Sequence, residues 1–173
     1  MSKEEKKTNR RDFLFTASYT IGAVGVGAVV WPLVHQMNPD KAQQALATTE
    51  VDISQVEPGN SITVLWRGKP VFLKRRTKEE ISEARAVSLT DLPDPQKDEE
   101  RVKEGKDEWL VMLGVCTHLG CVPLKDKGDF NGWFCPCHGS HYDVSGRIRK
   151  GPAPKNMEIP KYEFVDSNII KIG

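Results

Sequence analysis

Apolar positions fall in one unbroken block near the start of the chain and alternate with polar ones afterwards. The block is Phe13 to Val34, FLFTASYTIGAVGVGAVVWPLV, and it holds no charged residue in 22 positions. As a helix it is about 33 Å long, enough to cross the apolar core of a bilayer. Trp31 sits near its far end, where an interfacial aromatic is expected. Pro32 is expected to end or kink the helix there. The run is too long for the apolar part of a cleaved leader, and no small-x-small cleavage site closes it. Residues 1–12 form a polar tail, whose Lys6, Lys7, Arg10 and Arg11 place the N-terminus on the cytoplasmic side. Residues 35–49 are polar and rich in small side chains, which predicts a linker. Fully stretched it reaches about 50 Å.

From residue 50 the pattern has the period of β structure. Strands are expected at 51–53, 61–66 and 70–75, with Arg67-Gly68-Lys69 as a hairpin turn between the last two. Lys78 to Ala86 reads as a helix, with Thr77 as its cap and Glu79 and Glu80 in the first turn. Residues 91–108 carry eight acids and four bases, two prolines and a glycine, which predicts a solvated surface loop with at most one helical turn. Such a run can also attract a basic partner. Trp109 to Val115 reads as a buried strand, 125–131 as a turn and 132–134 as a strand. Ser145-Gly146-Arg147 is a further turn, and two strands near 158–164 and 169–172 close the chain. Short strands at regular intervals predict an antiparallel sandwich. The expected division is a tail (1–12), a transmembrane helix (13–34), a hinge linker (35–49) and an all-β head (50–173).

A net charge of +1 over 173 residues, without a basic patch interleaved with aromatics, gives no sign of nucleic-acid binding. The chemistry concentrates in Val115 to Asp143. All four cysteines lie there, Cys116, Cys121, Cys135 and Cys137, with His118, His138 and His141. They form two boxes, Cys-Thr-His-Leu-Gly-Cys and Cys-Pro-Cys-His-Gly-Ser-His. Each box offers one close Cys and His, Cys116 with His118 and Cys135 with His138. Thiolate and imidazole together suit zinc, or an iron–sulfur centre with one iron held by nitrogen. The common zinc-finger grouping puts two cysteines in one knuckle and two histidines in the other, unlike this chain. Cys121 and Cys137 remain, and in an oxidising compartment they can pair.

Both boxes resemble those of the Rieske [2Fe–2S] proteins, most closely the iron–sulfur subunits of bacterial ubiquinol–cytochrome c reductase, the cytochrome bc1 complex. The resemblance implies one [2Fe–2S] cluster, with Cys116 and Cys135 as sulfur ligands and His118 and His138 as nitrogen ligands. It implies that Cys121 and Cys137 form a disulfide between the two loops. It implies that Ser140 and Tyr142 donate hydrogen bonds to cluster sulfurs, and that Leu119 and Pro152 line the cofactor. Gly151-Pro152-Ala153-Pro154 resembles the loop that shields the cluster, so the cluster-binding subdomain is expected at about 115–154. His141 is expected to be a loop residue, since the four ligand positions are filled.

The same resemblance implies a function. The head is expected to accept one electron from quinol at a site on cytochrome b, with a proton on a histidine ligand, most directly His138. It then passes the electron to cytochrome c1 and contributes to proton translocation. Expected partners are cytochrome b, cytochrome c1, quinol, membrane lipid and a second copy of a dimeric complex; the chain is not an enzyme alone. Arg10-Arg11-Asp12-Phe13-Leu14 resembles a twin-arginine export signal, which suits a head that folds around its cluster before export to the periplasm. Soluble Rieske ferredoxins and the ring-hydroxylating oxygenases normally lack the second cysteine pair. Plastoquinol enzymes typically carry Gln where this chain has His141. The small subunits of arsenite oxidase fit the linker and Trp66 to Val71 less well.

Overall fold

The computed structural model describes residues 9–38 and 47–173. Residues 1–8 and the middle of the expected hinge, 39–46, lie outside the described residues. The chain forms two units, a helix and a β-rich head, each described by itself.

Helix α1 runs Arg10–His35. It starts three residues earlier than expected, because Asn9 occupies the cap and its N–H donates to the Asp12 carboxylate at 3.4 Å. The paired arginines therefore open the helix instead of preceding it. Pro32 does not end it. The helix continues to His35, and Gln36 N–H donates back to the Pro32 carbonyl at 2.9 Å. None of its side chains is buried, and its most apolar window has a mean hydropathy of 1.7. A long uncharged stretch that buries nothing, with charged groups only at its ends, is what a bilayer requires.

Among its described residues the head contains ten strands in three antiparallel sheets. Strands β1 (Thr49–Asp52), β10 (Ile169–Ile172) and β9 (Tyr162–Phe164) form the first sheet. Strands β2 (Ser61–Trp66), β3 (Lys69–Arg75) and β4 (Trp109–Leu113) form the second. Strands β5 (Leu124–Lys125), β6 (Asn131–Cys135), β7 (Ser140–Asp143) and β8 (Ile148–Lys150) form the third. The all-β, antiparallel expectation holds. His141, expected in a loop, lies in strand β7.

The second sheet is a wall shared by two cores. Side chains alternate along a strand, so Val71, Leu73, Trp109, Val111 and Leu113 face one way and Phe72, Leu110 and Met112 the other. The first set packs with Val51, Tyr162, Ile170 and Ile172 of the first sheet. The second set packs with Trp133, Cys116, Cys135, Tyr142 and Ile148 of the third. Phe72 and Trp133 stack across this second core with ring centres 4.4 Å apart. A strand buried on both faces reads as the unbroken apolar run WLVML.

Helix α2 spans Lys78–Ala86, as expected, with a reciprocal cap between Thr77 and Glu80. The 91–108 run departs from expectation. A short 3-10 turn, Leu89–Asp91, leads into it and a second, Asp98–Arg101, lies within it, with both Asp98 and Arg101 buried. It is therefore an internal brace and not simply a solvated loop. Asp98 pairs with Arg76, both side chains fully shielded, and accepts from the Ser145 hydroxyl at 2.6 Å. Burial alone pushes the Asp98 carboxyl up, but Arg76, Ser145 and Arg147 together outweigh it and hold it below the usual value.

Removing one partner of such a pair strands a buried charge, so Asp98→Ala should destabilise the head by about 3–5 kcal/mol at neutral pH. A carboxyl with a depressed folded-state value contributes fully above its unfolded value, about pH 4, and loses that contribution as pH falls through the folded one. Thermal melts of wild type and variant should therefore converge in acid. A gap that persists in acid would contradict the assignment.

Candidate metal centre

Two turns of the same design carry the two boxes. In the first, the Gly120 N–H donates to the Cys116 carbonyl at 2.9 Å; in the second, the Gly139 N–H donates to the Cys135 carbonyl at 3.0 Å. Each closing residue has a left-handed backbone, φ 82° at Gly120 and 74° at Gly139, which glycine adopts without strain. Each turn thus points a Cys and a nearby His off the end of a strand. The first follows β4 through Gly114, whose α-carbon lies under the Phe72 ring with no room for a side chain. The second joins β6 to β7, where Cys135 lies opposite Ser140 in the ladder. Gly132 enters β6 at a bulge against the Asp143 backbone, after Asn131 at φ 50°.

The expected donors converge. Cys116 and Cys135 are free thiols in the second core, each only 2% exposed. The His118 and His138 rings stand edge to face with centres 4.7 Å apart. His118 Nδ1 is buried and has no hydrogen-bond partner among the described residues. A buried imidazole nitrogen without a partner is costly unless it binds something, and a metal ion supplies that partner. The site therefore fits a metal group held by two sulfurs and two imidazoles. Cys121 and Cys137 are joined in a disulfide, with Cα atoms 6.8 Å apart. The sulfurs of Cys121, Cys135 and Cys137 lie within 4.8 Å of one another, but the disulfide removes two of them as thiolate donors.

The two free thiols differ. Burial pushes Cys116 up, but hydrogen bonds from the Tyr142 hydroxyl and the His118 backbone, with those from Cys135 and Ser140, bring it below the usual thiol range. Burial pushes Cys135 up, and its neighbour Cys116 reinforces that shift. Without a cation the pair holds one negative charge more readily than two. A metal reverses this by binding both as thiolates. Tyr142 is pushed well up, by burial and by its bond to the Cys116 sulfur, so its hydroxyl stays protonated as a donor.

Comparison with known proteins follows the same lines. Residues 47–163 match the Rieske [2Fe–2S] domain, and residues 1–40 match a segment described as the ubiquitinol-cytochrome C reductase Fe-S subunit TAT signal. The ubiquinol–cytochrome c reductase iron–sulfur subunit of Rickettsia prowazekii is 52% identical over 98% of this chain and 96% of its own length. That of Rhodospirillum rubrum is 56% identical over 96% and 93%. This chain belongs to the bacterial iron–sulfur subunits of ubiquinol–cytochrome c reductase. A solved chain titled "Hyperthermophilic respiratory Complex III" is 30% identical, with a TM-score of 0.54 over 90% of this chain and 97% of that one. As a Rieske protein the chain carries a [2Fe–2S] cluster. As a member of this family it is a single-pass, membrane-anchored subunit of a bacterial respiratory bc1 complex.

Around the donors of this Rieske head, the 151–155 loop packs on both boxes. The Ala153 N–H donates to the Ser140 hydroxyl oxygen at 3.2 Å, and the Thr117 hydroxyl donates to the Lys155 carbonyl at 2.6 Å. Gly151, at φ 106°, abuts the backbone of Gly139 and Ser140 so closely that a side chain there would part the two segments. The Tyr142 hydroxyl donates to the Cys116 sulfur at 3.3 Å and accepts from the Thr117 N–H at 3.2 Å. Ser140 is buried, and accepting from Ala153 leaves its hydroxyl hydrogen free to donate. Leu119 is 70% exposed at the tip of the first box, and Pro152 is exposed on the shielding loop. His141 stands apart. Its Nδ1 accepts the Asp129 N–H at 3.0 Å and its ring meets Phe134 edge-on. The part played by Thr117 is not legible in the sequence, where nothing distinguishes it from an ordinary turn residue.

A hydrogen bond to a cluster sulfur favours the more negative, reduced state. Tyr142→Phe and Ser140→Ala are therefore each expected to lower the midpoint potential in a redox titration. Unchanged potentials in both variants would refute the tuning role.

Proposed function

We propose that Cys116, His118, Cys135 and His138 hold the [2Fe–2S] cluster and that His138 is the point at which quinol meets the head. The observation that carries this reading is the unpartnered, buried His118 Nδ1 beside the His138 ring and two free, buried thiols. When bound, the cluster supplies a one-electron acceptor at raised potential, since two of its ligands are neutral imidazoles. His138 is exposed where His118 is largely covered, so its outer ring nitrogen, in the form that carries no proton, is the one that would accept a hydrogen bond from a quinol hydroxyl. As one electron leaves the quinol, that nitrogen takes the proton. The second electron goes to cytochrome b. Leu119 and Pro152 form the apolar rim against which the quinol site closes. The shielding loop and the Cys121–Cys137 bridge keep bulk water and loop motion away from the donors.

The head then delivers its electron to cytochrome c1, and His138 releases its proton to the periplasm. This adds to the proton gradient. The reading places the N-terminus in the cytoplasm, because Lys6, Lys7, Arg10 and Arg11 flank the helix on that side. The twin-arginine signal fits export of a head already folded around its cluster. The hinge assigned to 35–49 lets the head reach cytochrome b and cytochrome c1 in turn.

Two experiments test this. In membranes carrying His138→Ala, quinol–cytochrome c reductase activity and the cluster's EPR signal should both be lost; activity that survives without the cluster overturns the mechanism. Proline substitutions at Ala42 and Ala45 should slow turnover and leave the cluster spectrum intact. Full turnover with a stiffened linker would contradict the swing.

A further inference from the structure

The acidic 91–108 run also reaches the two stems of the shielding loop, through Arg101 and Asp94. Arg101 is 2% exposed. Its Nε donates to the Ser145 carbonyl at 2.7 Å, its Nη2 to the Met157 carbonyl at 2.7 Å, and its Nη1 to the Gln96 side-chain carbonyl at 2.7 Å. Nη2 also lies 3.5 Å from the Gly146 carbonyl. Ser145 and Met157 stand on either side of the 151–155 loop, and the Met157 N–H closes the stem on the Gly146 carbonyl at 2.9 Å. One guanidinium therefore spans both stems.

Asp94 grips the same place. Its carboxylate accepts the Asn156 N–H at 2.9 Å and its carbonyl accepts from the Asn156 side chain at 3.0 Å. The Asn156 side-chain carbonyl in turn accepts the Ile148 N–H at 2.9 Å. No carboxylate lies in salt-bridge range of Arg101 among the described residues; every oxygen it binds is neutral. A buried cation is costly, so bonds to neutral oxygens alone point to a geometric role. The planar fork of arginine suits that role because it reaches two carbonyls at fixed angles, which a lysine ammonium does not.

We propose that Arg101, assisted by Asp94, is a positioning residue for the cluster: by locking both stems it sets how the 151–155 loop seats on Ser140 and Thr117, and thereby the potential of the centre. The inference rests on the reading that the cluster lies between the two boxes. It goes beyond that reading by giving the acidic run a part in the reaction. The chain of contact is short. Arg101 holds Ser145 and Met157, the loop between them presents the Ala153 N–H, and that N–H orients the Ser140 hydroxyl.

The test uses the assembled complex carrying Arg101→Lys, Arg101→Gln or Asp94→Ala. Two readouts are taken: hydrogen exchange at the Ala153 amide, and the potential per EPR-detected cluster. The Ala153 amide should exchange about 10-fold faster or more in Arg101→Lys and Arg101→Gln, and less so in Asp94→Ala. The potential should fall in the same order. If Arg101 variants fail to assemble a cluster, Asp94→Ala decides. Variants that melt earlier yet keep wild-type exchange at Ala153 and wild-type potential would reduce the brace to plain stability and overturn the proposal. A full return of the potential in Arg101→Lys would overturn it too, since charge and not geometry would then be what counts. Failure of the underlying reading looks different, because wild type itself would then lack the signal of a cluster with nitrogen ligands.

Discussion

Four donor atoms on two separate loops can share one cofactor only if the loops cannot part, and the Cys121–Cys137 bridge enforces this covalently. It closes fifteen intervening residues, for which chain entropy contributes roughly 3 kcal/mol. The bridge alone leaves each loop free to twist. Matched glycine turns fix the direction of each Cys–His pair, and the Tyr142 hydroxyl ties the first box to strand β7 through both Cys116 and Thr117. The shielding loop then bonds to each box on its own side. The protein's own bonds thus gather the donors, and His118 Nδ1 lies buried with no hydrogen-bond partner among the described residues.

This preorganisation depends on the wall formed by β3 and β4. Its two faces serve two cores, so the third sheet is packed against the same strands that hold the first. Buried cations make the remaining joints. Lys74 pairs with Glu80 at 2.6 Å, Arg76 pairs with Asp98, and Arg147 reaches Asp143 at 2.8 Å and the Ala84 carbonyl at 2.6 Å. Ion pairs of this kind add little net stability over apolar packing but penalise any other arrangement of the same groups. A head that must hold its donors in one geometry gains from that penalty.

Much of this is visible in the order of residues. Strand β2, helix α2 and strand β10 stand at their expected positions, since alternation and the Thr77 cap are local signals. Both boxes stand out because they are dense in rare residue types, and the four proposed donors lie together in the structure. Strands β7 and β8 were not legible. Ser140-His141-Tyr142-Asp143 has a polar group on every side chain, and Asp143 serves a buried ion pair, so its period of two is not written in apolar residues. The 91–108 run misled for a related reason. Composition marks it as solvated, whereas Asp98 and Arg101 find partners that are distant in the chain: Arg76, Ser145 and Met157. Pairing over such separations leaves no periodic trace.

The central claim is that two imidazoles and two thiolates hold the cluster. Pulsed EPR on the reduced protein, grown with 15N-labelled histidine, addresses it directly. The account predicts strong coupling of the electron spin to two histidine nitrogens, unchanged when His141 is replaced and gone with the whole cluster signal when His118 or His138 is. An iron–sulfur signal without histidine coupling, or protein that binds zinc in place of iron, would contradict it.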